Sequence, residues 1–174
     1  HSFNKRVLAV AVEGARAAGA EVTTIDLRDY PLPIFCADGI ENGEFDKNAL
    51  RLQDVMAEHD GFMIASPEYN GSIPGGLKNA IDWVSRGNHK YKMYEPFGGK
   101  HAAIMAAAPG QFGGLRCLSH LRGVLSILSI HVLPMEIAVP FVSQKFEGDG
   151  REMTDEKTKH VLESLGANLV HKLG

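Results

Sequence analysis

Two stretches of this chain are apolar at nearly every position yet too short to be core helices: "GFMIA" within residues 60–66 and "AAIMAAA" within 100–108. A strand with one wet face alternates apolar and polar residues, whereas a strand covered on both faces does not need to. Runs of this kind demand a parallel sheet held between two layers of helix, and the remaining sequence must supply those layers.

Helical periodicity supplies them. Asn4–Gly19 carries Val7, Leu8, Ala11, Val12, Ala15 and Ala18 at three- and four-residue spacings, with Gly19 as a stop. Ala49–His59 carries Leu50, Val55 and Met56. After Pro74 come Leu77, Ala80, Ile81 and Val84, and two further helices are expected over 113–128 and 154–170. The β-branched "AEVTTIDL", 20–27, predicts another strand. So does "IHVLPMEIAV", 130–139, an edge strand because Pro134 lacks an N–H to donate. Residues 28–46 form a long Pro/Gly-punctuated loop, the kind that is usually functional or mobile.

Alternating helices and strands predict an α/β fold, a flavodoxin-like doubly wound parallel five-stranded sheet in the order 2-1-3-4-5. The first visible element is a helix, so the first strand is expected upstream of His1. No repeat, low-complexity tract or linker divides the chain, and residues 1–174 read as one domain.

Composition narrows the function. Eighteen basic against twenty-one acidic residues give a net charge of −3, without the basic stripe of a nucleic-acid binder. No apolar run approaches the roughly 20 residues that span a bilayer. Cys36 and Cys117 lie outside any CxxC and read as reduced thiols of a cytoplasmic protein. The eight histidines are scattered, with no HxxxH or HExxH, so no metal site is expected.

Ligands of open α/β sheets sit beyond the carboxyl ends of the strands. Three segments are expected there: "HSFN" at 1–4, "SPEYNGSIPGG" at 66–76 and "AAAPGQFGG" at 106–114. At the start of a helix, Ser2 and Asn4 suit either a phosphate at its positive end or a plain cap pair. Pro67 stiffens the second segment, whose backbone groups could bond the edge of a flat heterocycle while Tyr69 offers an aromatic face. The third has little side-chain bulk, so a planar ring could lie against it. Glu68 has no partner carboxylate at a defined spacing, and no catalytic acid, base or nucleophile is expected.

Together these segments resemble the NADPH-dependent FMN reductase family, flavodoxin-like quinone, azo-dye and chromate reductases. The resemblance is most specific at "SPEYNGSIPGGLKNAIDW" and is supported by "SFN" and by "PGxxGGxR" at 109–116. It implies FMN as cofactor and NADPH or NADH as co-substrate. It also implies a small-molecule acceptor: a quinone, azo compound, metal oxyanion or free flavin. Carried over by position, Ser2, Phe3 and Asn4 would hold the phosphate. Pro67, Glu68, Tyr69 and Asn70 would contact the isoalloxazine, and the stretch from Ala107 through Pro109 to Gly110 would border its other edge. The family's phosphate loop begins Gly-Ser-x-Arg, which would lie upstream of His1, and its common Ser near 106–108 is replaced here by alanines. The alternatives are a flavodoxin-type electron carrier, which would not turn over reduced nicotinamide, and a flavin-free relative, which would not be yellow. The resemblance further implies a homodimer or homotetramer. Helix 113–128, apolar on more than one stripe, and Trp83 are the candidate buried surfaces.

Overall fold

The computed structural model describes residues 2–41, 45–147 and 152–174 and places the two apolar runs side by side. β1 (Gly61–Ala65) and β2 (His101–Ala107) pair in parallel, from Gly61 opposite His101 to Ala65 opposite Met105. β2 is buried from Ala102 to Ala107. Its even-numbered Ala102, Ile104 and Ala106 share a core with Leu52, Ile81, Val84, Leu118 and Leu121. Its odd-numbered Ala103, Met105 and Ala107 share another with Val7, Ala11, Leu162 and Leu165. Period-two alternation thus sorts one strand's side chains into two cores.

Helices cover both faces. α1 (Phe3–Ala17) and α6 (Glu156–Leu173) lie on one. The short α2 (Ala37–Glu41) sits in the long segment before α3 (Lys47–Ala57). α3, α4 (Gly75–Val84) and α5 (Leu115–Ile127) build the other face. α1 and α6 approach backbone to backbone: a Cβ on Gly166 would stand 1.9 Å from the Ala11 carbonyl oxygen, and one on Gly14 would stand 2.0 Å from that of Glu163. Only glycine at both positions permits that distance.

Two expected strands differ. Residues 20–26 join no ladder, and a 3₁₀ turn, Leu27–Asp29, begins where the strand was to end. β-branched composition suits a pleated surface, but a strand forms only against a neighbour. Among the described residues β1 pairs with β2 alone, so no neighbour reaches 20–26. Ile25 and Leu27 still pack on the core. Segment 130–139 is broken at Pro134 into β3 (His131–Val132) and β4 (Ile137–Val139), both parallel to β2. Leu133 N–H keeps a bond to the Ala102 carbonyl at 2.8 Å across the break. The edge position expected from the proline holds, and the described sheet has four strands.

The long loop is anchored where it is described, and its residues 42–44 lie outside the described set. Trp83 Nε1 donates to the Pro33 carbonyl at 2.8 Å, and the Asn79 amide bonds both Pro33 and Phe35 backbone. Phe35 and Phe45 meet the Trp83 ring edge-on at 5.2 and 5.4 Å. Trp83, expected as a surface for a partner, is therefore only 5% exposed and covered by its own chain. Among the described residues no helix is long and apolar enough to cross a membrane.

Candidate functional site

The carboxyl ends of β1 and β2 carry two of the three expected segments, and both are anchored to β2. Ser66 N–H donates to the Met105 carbonyl at 2.9 Å, extending the ladder one step past β1. Two residues further along β2, about 7 Å at the rise of a strand, Ala107 exchanges both backbone groups with the Asn4 side chain. Asn4 Nδ2 donates to the Ala107 carbonyl at 3.0 Å, and Ala107 N–H donates to Asn4 Oδ1 at 2.9 Å. Asn4 is 7% exposed, so its carboxamide is a buried clamp that presses the start of α1 onto the end of β2.

At that start, Ser2 is the N-cap, its hydroxyl accepting from Lys5 N–H at 3.4 Å. The first turn holds no acidic residue, and the Arg6 guanidinium lies 5.1 Å from the Phe3 ring centroid. Free N–H groups, the helix dipole and nearby cations make this end favourable to an anion. His1 lies outside the described residues.

The 67–72 loop is rigid. Tyr69 and Ser72 exchange backbone hydrogen bonds at 2.9 and 3.1 Å around Asn70-Gly71, whose φ angles are +52° and +78°. That is the two-residue turn Asn-Gly favours, and it leaves Tyr69 61% exposed. Glu68 turns the other way. Its carboxylate accepts from Arg116 and Cys117 N–H at 3.1 and 3.2 Å and pairs with the Arg116 guanidinium at 2.7 Å. α5 has no side-chain cap of its own, because Gly114 precedes it in a left-handed conformation, so Glu68 caps it from 48 residues away. The Arg116 guanidinium, aided by those N–H groups, holds the Glu68 carboxyl below the usual carboxylate range. Glu68 is thus a positioning residue rather than an available acid.

The third segment is strapped down by Ala108 N–H to Val139 and by Phe141 N–H to Gly110. Pro109 and Gly110 are exposed at its crest. The N–H groups of Gly110, Gln111 and Phe112 have no hydrogen bond among the described residues. A Cβ on Gly114 (φ +91°) would stand 2.6 Å from Ala106 Cβ, which fixes how closely this turn can lie against β2. Phe112, 51% exposed, stacks beneath Arg116.

All ten sequence-predicted residues therefore lie on the three segments at this end of the sheet. Hydrogen bonds link Asn4 to Ala107, and Glu68 to the first turn of α5, but none joins 2–4 directly to 67–70 among the described residues. Besides the Asn4–Ala107 clamp, two contacts escaped the sequence reading: the Glu68–Arg116 pair, and His120 Nδ1 bonded to Ser72 Oγ at 2.9 Å. Each spans 48 residues and leaves no local signature. Cys117 is buried at 3.6 Å from the Ser66 carbonyl, and burial pushes its thiol up, as befits a packing residue.

The sequence model of the NADPH-dependent FMN reductase family matches residues 1–144. An NAD(P)H-dependent FMN reductase of Pseudomonas aeruginosa is 34% identical, over 95% of this chain and 85% of its own. An NAD(P)H:quinone oxidoreductase of Solanum tuberosum is 36% identical, over 94% and 82%. Among solved structures, the flavoenzyme NAD(P)H:(acceptor) oxidoreductase FerB of Paracoccus denitrificans superposes with a TM-score of 0.82 at 28% identity, covering 99% of this chain and 92% of its own.

Proposed function

Since the chain belongs to the NADPH-dependent FMN reductase family, we propose that it oxidises reduced nicotinamide and passes the electrons through bound FMN to a small acceptor, a quinone foremost. The observation that carries this reading is the Asn4–Ala107 clamp, which sets the positive end of α1 beside the loop after β2. It gives one ligand a place for a phosphate and, next to it, a place for a flat ring. The residues present fit FMN: an acid-free helix start, N–H groups at 110–112 without a partner among the described residues, and open space beside Gly110, which has no side chain to crowd a ring.

FMN supplies the two-electron relay between nicotinamide and acceptor. The protein's own work is binding and orientation. Ser2, Phe3 and Asn4 hold the phosphate end, Asn4 through its backbone N–H because its carboxamide is taken up by Ala107. The backbone of Pro67, Glu68, Tyr69 and Asn70 borders the ring on one edge, and that of Ala107, Pro109 and Gly110 on the other. The Glu68–Arg116 pair keeps the first edge fixed against α5. Exposed Tyr69 and Phe112 offer aromatic faces to flat acceptors, and azo compounds, metal oxyanions and free flavin belong to the same acceptor range.

Three finer readings accompany this one. The single domain gains a strand upstream of His1 that pairs with β1 on one side and with residues 20–26 on the other, giving the order 2-1-3-4-5 with β3 and β4 counted as the two halves of one strand. Support comes from the unladdered 20–26 segment and from a cavity of ≈ 270 Å³ lined by Leu8 and Val12 of α1 together with Thr24 and Ile25. The chain assembles as a homodimer or homotetramer, for which Leu115 and Ile127, exposed on α5, are candidate contacts. Two unpaired cysteines suit a reducing, cytoplasmic compartment.

Steady-state oxidation of NADPH and of NADH by the FMN-loaded protein, with a benzoquinone as acceptor, tests the function. Turnover well above that of free FMN is expected. A yellow protein with no such turnover would leave an electron carrier instead.

A further inference from the structure

Far from the candidate site, the sheet brings together two histidines that stand 30 positions apart in sequence. His101 opens β2 and His131 opens β3, and the strand register sets them directly opposite one another. By alternation His101 shares the face of Ala103, and its register partner lies on the same side. The ring centroids are 5.1 Å apart, with the planes tilted by 35°. Neither imidazole makes a hydrogen bond among the described residues; His131 is exposed and His101 half-buried. Lys100, the neighbouring cation, is turned away: its Nζ donates to the Met56 and Ala57 carbonyls at 2.6 and 2.9 Å.

We propose that His101 and His131 form a binding site for a divalent transition-metal ion of the zinc, copper and nickel class. Imidazole is a good ligand for these ions. Metal–nitrogen bonds of about 2.0–2.1 Å at a tetrahedral angle place two ligating rings about 5 Å apart, centroid to centroid, and the pair already has that spacing. Gly61, opposite His101 on the other flank, has no side chain, and the space beside its backbone is taken by the apolar Leu173, whose methyl carbons would stand 3.1 and 3.3 Å from a Cβ there. Among the described residues no group of three or more His, Cys, Asp or Glu side chains gathers as a metal site, so water fills the remaining positions. The site is about 20 Å along β2 from Ala107 at the rise of a strand, and it acts independently of the flavin. Its effect is mechanical. β3 has only two ladder residues, and a bound ion ties that short edge to the central strand.

Tag-free protein titrated with Zn²⁺ alone, against a chromophoric chelator and in thermal unfolding, tests this. One Zn²⁺ per chain is expected, with a rise in Tm when the ion is present, because it binds the folded state. His131→Gln and His101→Gln should each weaken uptake about tenfold or more and abolish the rise. His160→Gln, near the start of α6 and so away from the Leu173 end that lies beside Gly61, should change neither. His131 is exposed, so its variant remains folded, and unchanged flavin content verifies that; it decides the matter alone if His101→Gln does not fold. Uptake by His131→Gln equal to that of the parent, equal loss in His160→Gln, or no uptake by the parent at submillimolar Zn²⁺ overturns the proposal.

Discussion

Asn4 and Glu68 each spend a polar side chain on backbone belonging to a distant part of the chain. Asn4→Ala leaves the buried Ala107 N–H and carbonyl without their partner, at a cost of about 1–3 kcal/mol, and Tm should fall by roughly 2–4 °C for each kcal/mol. Asn4→Asp keeps an acceptor for Ala107 N–H but adds negative charge where we propose the phosphate binds, so flavin affinity should fall further than stability does. Thermal melts alongside flavin titrations separate the two effects. If flavin content merely follows the folded fraction in both variants, the start of α1 does not hold the phosphate. Glu68→Gln removes the charge that caps α5 and pairs with Arg116. A loss of about 1 kcal/mol is expected, measurable by denaturant unfolding, and it should shrink as pH falls. The sign follows from the depressed carboxyl: stabilisation by Glu68 is complete above its ordinary value of 4.5 and is lost as pH drops through the folded value.

Among elements, the α1–α6 contact and the β2–α5 turn are the least forgiving. Gly166→Ala must drive α6 off the Ala11 carbonyl, costing about 1–3 kcal/mol or more, and through α1 it should also loosen the clamp at Asn4. Gly114→Ala meets Ala106 Cβ at 2.6 Å in a left-handed conformation. Its displacement acts directly on the 110–114 turn and the α5 cap, so bound-flavin absorbance should drop out of proportion to Tm. For Gly166→Ala the two readouts should fall together. The opposite pattern would place the flavin elsewhere.

For the whole molecule, acid sensitivity follows from several carboxylates held in ion pairs and caps. Asp155, hydrogen-bonded to Thr158 and paired with Lys145, is lowered to about 2, and Asp54, beside Lys90 and Tyr91, is also depressed. With Glu68 they contribute fully above ordinary values of 3.8 and 4.5, and the contribution disappears as pH falls toward about 2. Tm should therefore decline steeply across that window and change little just above it. Light scattering coupled to gel filtration should report at least twice the chain mass. A fully active monomer at micromolar concentration would remove the assembly claim, which has already lost Trp83 as a candidate contact.

Periodicity alone determined the layered α/β class, the five longer helices and the two buried strands, because apolar spacing is a local record of which faces leave water. The quoted motifs marked the three segments proposed for the site for the same reason: turn chemistry, as at Asn70-Gly71, is written in adjacent residues. Pairing is not. Residues 20–26 have strand composition without a neighbouring edge, and the strand of 130–139 divides around Pro134 because each half must find its own register on β2. Only the tertiary structure decided that Glu68 caps a helix, that Asn4 clamps a strand end, that Trp83 is covered by its own loop and that His101 faces His131. Each is a meeting of residues at least 30 positions apart, made by the stacking of layers, and no local pattern encodes which distant groups a packed sheet will set side by side.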